Sequence, residues 1–267
     1  MSSRAGFYGK LPSRGDFVAR GLPRDFTNAF DAWLQEALTH SRRQLGDERW
    51  TELFQNAPLW RFALSPRLCG RHSVVGVMMP SVDRVGRRFP LVIGLTLDQP
   101  FDLTELVGAN GSWFDRAEQL ALTTLADDLD LNDLVGQVGV LAALFHELPH
   151  QRDVKGLHWT LSTTDDLGAR LPQALGMLAQ AQLADLSLWW TTGAKFVAPC
   201  ALACRGLPLA QRFTPFIAGE WQYWGWGESQ LSGLAGGAKE HSPTTPPQAL
   251  PPRTLERLSI HSVGKKP

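Results

Sequence analysis

Hydrophobic residues along this chain follow two rhythms. Between Ala57 and Asp98 three short, nearly continuous apolar runs, Leu59–Leu64, Val74–Met79 and Leu91–Leu97, alternate with connectors of Ser, Pro, Gly, Arg and Asp. Runs this short between turn formers predict strands, and their unbroken apolar character predicts a sheet covered on both faces. Short connectors make these three strands antiparallel neighbours. The loop from Pro80 to Pro90, PSVDRVGRRFP, is polar and charged where its flanking strands are not.

The second rhythm is helical. From Pro23 to Gly46 the residues Phe26, Phe30, Trp33, Leu34, Ala37, Leu38 and Leu45 recur at helical spacing, with Pro23 suited to a first turn and Gly46 to a stop. A shorter helix is predicted over Asp47–Gln55. Two more follow the central strands, Ser112–Leu129 with Asn110 as its cap, and Leu131 to about Glu147, where Gly136 and Gly139 oppose the helix. Short strands are predicted at Phe7-Tyr8 and Phe17–Ala19, with Gly15 in a positive-φ turn between them and Asp16 bonding nearby backbone. Later elements are strands at Leu157–Ser162, Leu186–Thr192 and Lys195–Ala203, a helix at Leu171–Leu183, and a compact piece from Leu207 to Trp226. Pro199 argues for an edge or a bulge in the last strand. The order predicts an α/β protein, a three-layer α/β/α sandwich with a mixed, partly antiparallel sheet. One domain is expected over residues 1–227. The Pro-, Ser- and Gly-rich stretch 228–267 has too little apolar surface to fold alone and is expected to be disordered.

Composition narrows the function. Lys plus Arg equal Asp plus Glu at 26 each, so no global field attracts nucleic acid or an anionic membrane. Ten tryptophans are assigned to the core and sheet covering. Three cysteines, Cys69, Cys200 and Cys204, fit a reducing compartment, and the chain opens without an apolar signal core. A cytoplasmic protein is expected. Arg14-Gly15-Asp16 as an integrin ligand and Asn110-Gly111-Ser112 as a glycosylation sequon are chance matches in such a compartment.

The sharpest chemical motif is His146-Glu147-Leu148-Pro149-His150, a literal H-E-x-x-H. On a helix it places two zinc ligands on one face with Glu147 as general base. Pro149 opposes that helix, costing about 3 kcal/mol or more, so the helix is predicted to end near Glu147 and the two imidazoles to diverge. Cys200 and Cys204 share a strand face too far apart for a redox pair and are read as small hydrophobes. No phosphate-binding loop, dinucleotide fingerprint or nucleophile elbow occurs. What remains is two polar loops, Lys10–Asp16 and Ser81–Arg88. Their carboxylates either hold an Arg internally or help present a binding surface on a rigid sheet.

The blocks GFYGKLPSRGDFVARGLP, APLWRFALSPRLCG, GVMMPSVDRVGRRFPL and SLWWTTG resemble the TagF (ImpM) family of type VI secretion-associated proteins, over roughly Gly6 to Trp226. The resemblance implies a three-layer α/β/α fold. It also implies a post-translational repressor of bacterial type VI secretion that acts by protein binding on the forkhead-associated (Fha) scaffold protein. No catalytic residue, cofactor or metal carries over. Within the blocks, Trp60 and Phe62 are expected in the core and Gly6, Gly9 and Gly86 in turns. Lys10, Arg14, Asp16, Asp83, Arg84 and Arg87 are expected at the partner-facing surface. The alternatives are a structural adaptor of the secretion machine and a zinc hydrolase using His146, Glu147 and His150.

Overall fold

A computed structural model describes residues 4–98, 109–126, 128–146 and 185–227. These all lie in one unit, Met1–Glu228. The predicted strand 157–162, the predicted helix 171–183 and the tail from residue 228 fall outside the described residues.

Among the described residues seven strands form one sheet: β1 (Arg4–Gly9), β2 (Val18–Arg20), β3 (Trp60–Leu64), β4 (Ser73–Met79), β5 (Leu91–Leu97), β6 (Leu186–Thr191) and β7 (Cys200–Arg205). Their spatial order is β2-β1-β5-β4-β3-β6-β7. Every pairing among them is antiparallel, which revises the expected mixed sheet. A parallel pair would need a helical crossover between adjacent strands. Instead, α1 (Arg24–Leu45) and α2 (Asp47–Gln55) link β2 to β3 across three intervening strands. Likewise α3 (Gly111–Thr123) and α4 (Leu131–Leu144) lie between β5 and β6, which are separated by β4 and β3. The predicted strand over Lys195–Ala203 starts only at Cys200, because Gly193 takes a positive φ and the chain turns back, with Ala194 N–H donating to Val197 C=O.

Alternation along the strands builds two cores, giving the α/β/α layers. On one face Val75, Val77, Met79, Leu91, Ile93 and Leu95 pack under Trp113, Phe114, Leu134 and Val138 of α3 and α4. On the other, Phe62, Val74, Met78, Val92 and Trp189 pack under α1, α2 and α5 (Pro215–Ala218). Of the tryptophans, Trp33, Trp50, Trp60, Trp113 and Trp189 are buried, as the core assignment requires. The indole N–H groups of Trp33, Trp60 and Trp113 donate to the carbonyls of Pro208, Phe216 and Leu141, that of Trp50 donates to Ser41 Oγ, and that of Trp189 has no acceptor among the described residues.

A half-buried ion pair ties the sheet to α3. Arg61 of β3 forks onto Glu118 of α3, with Nε to Oε1 and Nη2 to Oε2 both at 2.7 Å, and Nη2 also reaches Asp115. The hydrogen bonds to Glu118 hold its guanidinium firmly charged. Arg61→Ala is expected to lower the unfolding free energy by about 1.5–3 kcal/mol, read as a lower denaturant midpoint, because Glu118 then loses its buried partner.

Asn110 does not cap α3 with its side chain. Its amide, almost fully buried, instead accepts from His146 N–H at 2.9 Å and donates to His146 C=O. It thereby fastens the exit of α4 to the entrance of α3.

Candidate interaction site

The two polar loops meet at one end of the sheet. The first runs from Lys10 to Phe17 between β1 and β2, the second from Pro80 to Pro90 between β4 and β5. Gly9 brings them together: at φ +136° it approaches Pro90 so closely that a Cβ would stand 2.1 Å from the Pro90 carbonyl oxygen. The residue therefore serves a close approach rather than a turn. Gly6 does the same inside β1, against the backbone of Arg20 and Leu22. Gly86 is a true turn glycine at φ +87°.

Asp83 is the hub. Its Oδ1 accepts from Val85 N–H at 3.1 Å and Arg87 N–H at 2.8 Å, closing the hairpin tip as an Asx turn. Its Oδ2 accepts from Lys10 Nζ and from Arg87 Nε, both at 2.7 Å. Only 2% of Asp83 and 5% of Lys10 is exposed, so this is a buried ion pair joining residues far apart in sequence. Around it Ser81 Oγ donates to Lys10 C=O, Arg84 N–H to Arg14 C=O, and Arg87 Nη2 to Gly15 C=O. An aromatic pad lies beneath, with Tyr8, Phe17 and Phe89 in mutual contact and Lys10 Nζ 5.1 Å from the Phe17 ring centre. The Tyr8 hydroxyl donates to Asp31 of α1. Burial first, then that carboxylate, push its ionisation above the ordinary phenol range.

Burial alone raises the ionisation of Asp83, but the donors from Lys10 and Arg87 outweigh it and hold the carboxyl well below its usual range. A depressed folded-state value stabilises the fold above the unfolded value of about 3.9 and loses that contribution as pH falls below it. The unfolding midpoint of the wild type should accordingly exceed that of Asp83→Asn at neutral pH. The gap should narrow steadily below about pH 4, and a gap independent of pH would contradict the assignment.

The six expected surface residues divide into two groups. Lys10 and Asp83 are interior and hold the loops together, the internal-pair reading of these carboxylates. Arg14, Asp16, Arg84 and Arg87 are exposed. Asp16 makes no hydrogen bond to nearby backbone; its contact is an ion pair of 3.9 Å with Arg87. Gly15 is not among the positive-φ glycines; the Arg84 guanidinium lies over it, 3.8 Å from where a Cβ would stand. Two exposed hydrophobics complete the surface, Val85 at 67% and Phe17 at 47%. Neither was expected there, although Val85 between Arg84 and Gly86 is a hydrophobe at the tip of a charged loop, which is the signal that marks it.

The other chemical motifs lie apart from this knot. Helix α4 ends at Leu144 and Phe145 is extended, so His146 is not carried on a helical turn; Glu147, Pro149 and His150 lie outside the described residues. Among the described residues no three His, Cys, Asp or Glu side chains gather as a metal site. Burial pushes the Cys69 thiol up to about 12 and those of Cys200 and Cys204 to about 11, so all three stay protonated near neutrality. No helix among the described residues is long and apolar enough to cross a membrane.

Fold and knot together define an α/β/α protein with a pinned loop pair at one end of an antiparallel sheet. Residues 6–141 match the profile of the TagF N-terminal domain, described as type VI secretion system-associated. The chain belongs to the TagF family. It is also similar to the crystal structure of PA0076 from Pseudomonas aeruginosa PAO1, at 38% identity and a TM-score of 0.67, over 85% of this chain and 96% of that one. No curated protein sequence matches it.

Proposed function

We propose that this protein is a post-translational repressor of type VI secretion that acts in the cytoplasm by binding, without chemistry of its own. Its partner is the forkhead-associated scaffold of the secretion system. Membership of a type VI secretion-associated family sets the system in which it works. The observation that carries the binding reading is the buried Lys10–Asp83 pair, which fixes two loops whose outer side chains, Arg14, Asp16, Arg84 and Val85, are exposed. A surface held in one conformation loses little entropy on docking, which favours recognition.

Deleting the gene should release secretion, read as effector protein in the medium, and a chain carrying Arg84→Ala should restore repression only weakly. Loss of secretion on deletion would overturn repression in favour of a structural part. Arg84→Ala should weaken scaffold binding with an unchanged unfolding midpoint, because its side chain is exposed and unpaired among the described residues. Arg87→Ala should lower both, since Arg87 also braces Asp83 and Gly15.

A further inference from the structure

The charge of the knot is uneven. Residues 10–16 and 81–88 hold five cations, Lys10, Arg14, Arg84, Arg87 and Arg88, against two carboxylates, Asp16 and Asp83, in a chain whose charges balance overall. Asp83 neutralises Lys10 inside the knot, and Asp16 stands beside Arg87. Arg14, Arg84 and Arg88 are left without a counter-ion among the described residues, and Arg88 Nε is enclosed with no acceptor. Arg14 and Arg84 are not independent surface charges. Arg84 N–H donates to Arg14 C=O at 2.9 Å, the Arg84 guanidinium lies over Gly15, and Arg87 Nη2 caps the Gly15 carbonyl. The guanidiniums of Arg84 and Arg87 thus meet at Gly15, with the exposed Arg14 next to it in the chain, on a backbone locked from beneath, and Val85 and Phe17 are exposed as well.

Resting on the binding reading above, we infer that this surface grips an acidic segment of its protein partner. Arg14 and Arg84 take the anionic groups through charge-assisted hydrogen bonds, and Val85 and Phe17 cover an apolar neighbour. Lys10, Asp83 and Arg87 are positioning residues. Carboxylate and phosphoester oxygens offer guanidinium the same acceptors, so the chemistry recognised is the anion, and the two sources are separated by experiment.

The test uses the full isotope-labelled chain, titrated with a hexaglutamate peptide and separately with a phosphothreonine-containing hexapeptide, followed by amide resonances. Shifts should concentrate at residues 14–17 and 84–88, weaken as salt is raised, and require at least about tenfold more peptide in Arg14→Gln/Arg84→Gln. The tighter of the two peptides names the source. Equal shifts in that variant, or shifts elsewhere on the chain, would overturn the inference. A parallel titration with the scaffold protein separates it from the functional reading. Scaffold binding unaffected by Arg14→Glu/Arg84→Glu leaves a binding protein without an anion grip. Peptide shifts at the knot without scaffold binding leave the anion grip and remove that partner.

Discussion

A Lys10→Ala variant is expected to lose about 3 kcal/mol of unfolding free energy, measured as a lower denaturant midpoint at unchanged slope. Removing the ammonium leaves a buried carboxylate short of one partner, and a buried charge without its partner is among the costliest defects a point mutation makes. The loss should not go far beyond this figure, because Val85 N–H, Arg87 N–H and Arg87 Nε still donate to Asp83. Lys10→Met combined with Asp83→Asn should cost clearly less than the two single changes together, since neither leaves a lone charge in the double variant. Strict additivity would mean that the two side chains do not act as a pair. Partner binding should fall in Lys10→Ala as well, through loosening of the loops rather than loss of a contact.

The second large effect lies in the sheet. Phe62 is fully buried, with its ring 5.5 Å from Phe30 and 5.3 Å from Trp189. It rests on Gly76 of the neighbouring strand, where a Cβ would stand 2.7 Å from the Phe62 Cζ. Gly6, Gly94 and Gly76 form a continuous row across β1, β5 and β4, and the Phe62 ring meets bare backbone at Gly76. With glycine beneath it, the neighbouring strand offers no side chain to fill the space that Phe62→Ala opens. The variant should lose about 3–5 kcal/mol in equilibrium unfolding. A loss under about 1 kcal/mol would mean that the aromatic layer repacks freely, contrary to its close packing.

Much of this was legible in the amino-acid pattern. The helix over Asp47–Gln55 and the strand over Leu91–Leu97 match the structure residue for residue, because turn residues and hydrophobic spacing agree there. Helix α4 forms despite Gly136 and Gly139, since burial of Leu134, Val138 and Leu141 outweighs local propensity. Short connectors made the antiparallel pairing of the three central strands legible; the direction of strands joined by long helical links was not, because such a link looks the same whether it joins neighbours or distant strands. Phe17 read as strand because the sequence cannot show that its ring stacks on Tyr8 and meets Phe89 edge to face. At the site, pattern located both loops. Which acid would be buried was a matter of tertiary contact: Asp83 meets Lys10 across 73 residues, whereas Asp16, similar in its local sequence, ends in solvent. The glycines within SVVGVMM and LVIGLTL carried a signal for close backbone approach that the strand periodicity alone passes over.

The most direct test of the account is calorimetric titration of the full chain into the purified forkhead-associated scaffold from the same organism, after removal of its phosphothreonine. The account predicts saturable binding at micromolar concentration or tighter, weakened by Arg84→Ala. No heat and no co-elution, from a chain with a wild-type unfolding midpoint, would contradict it.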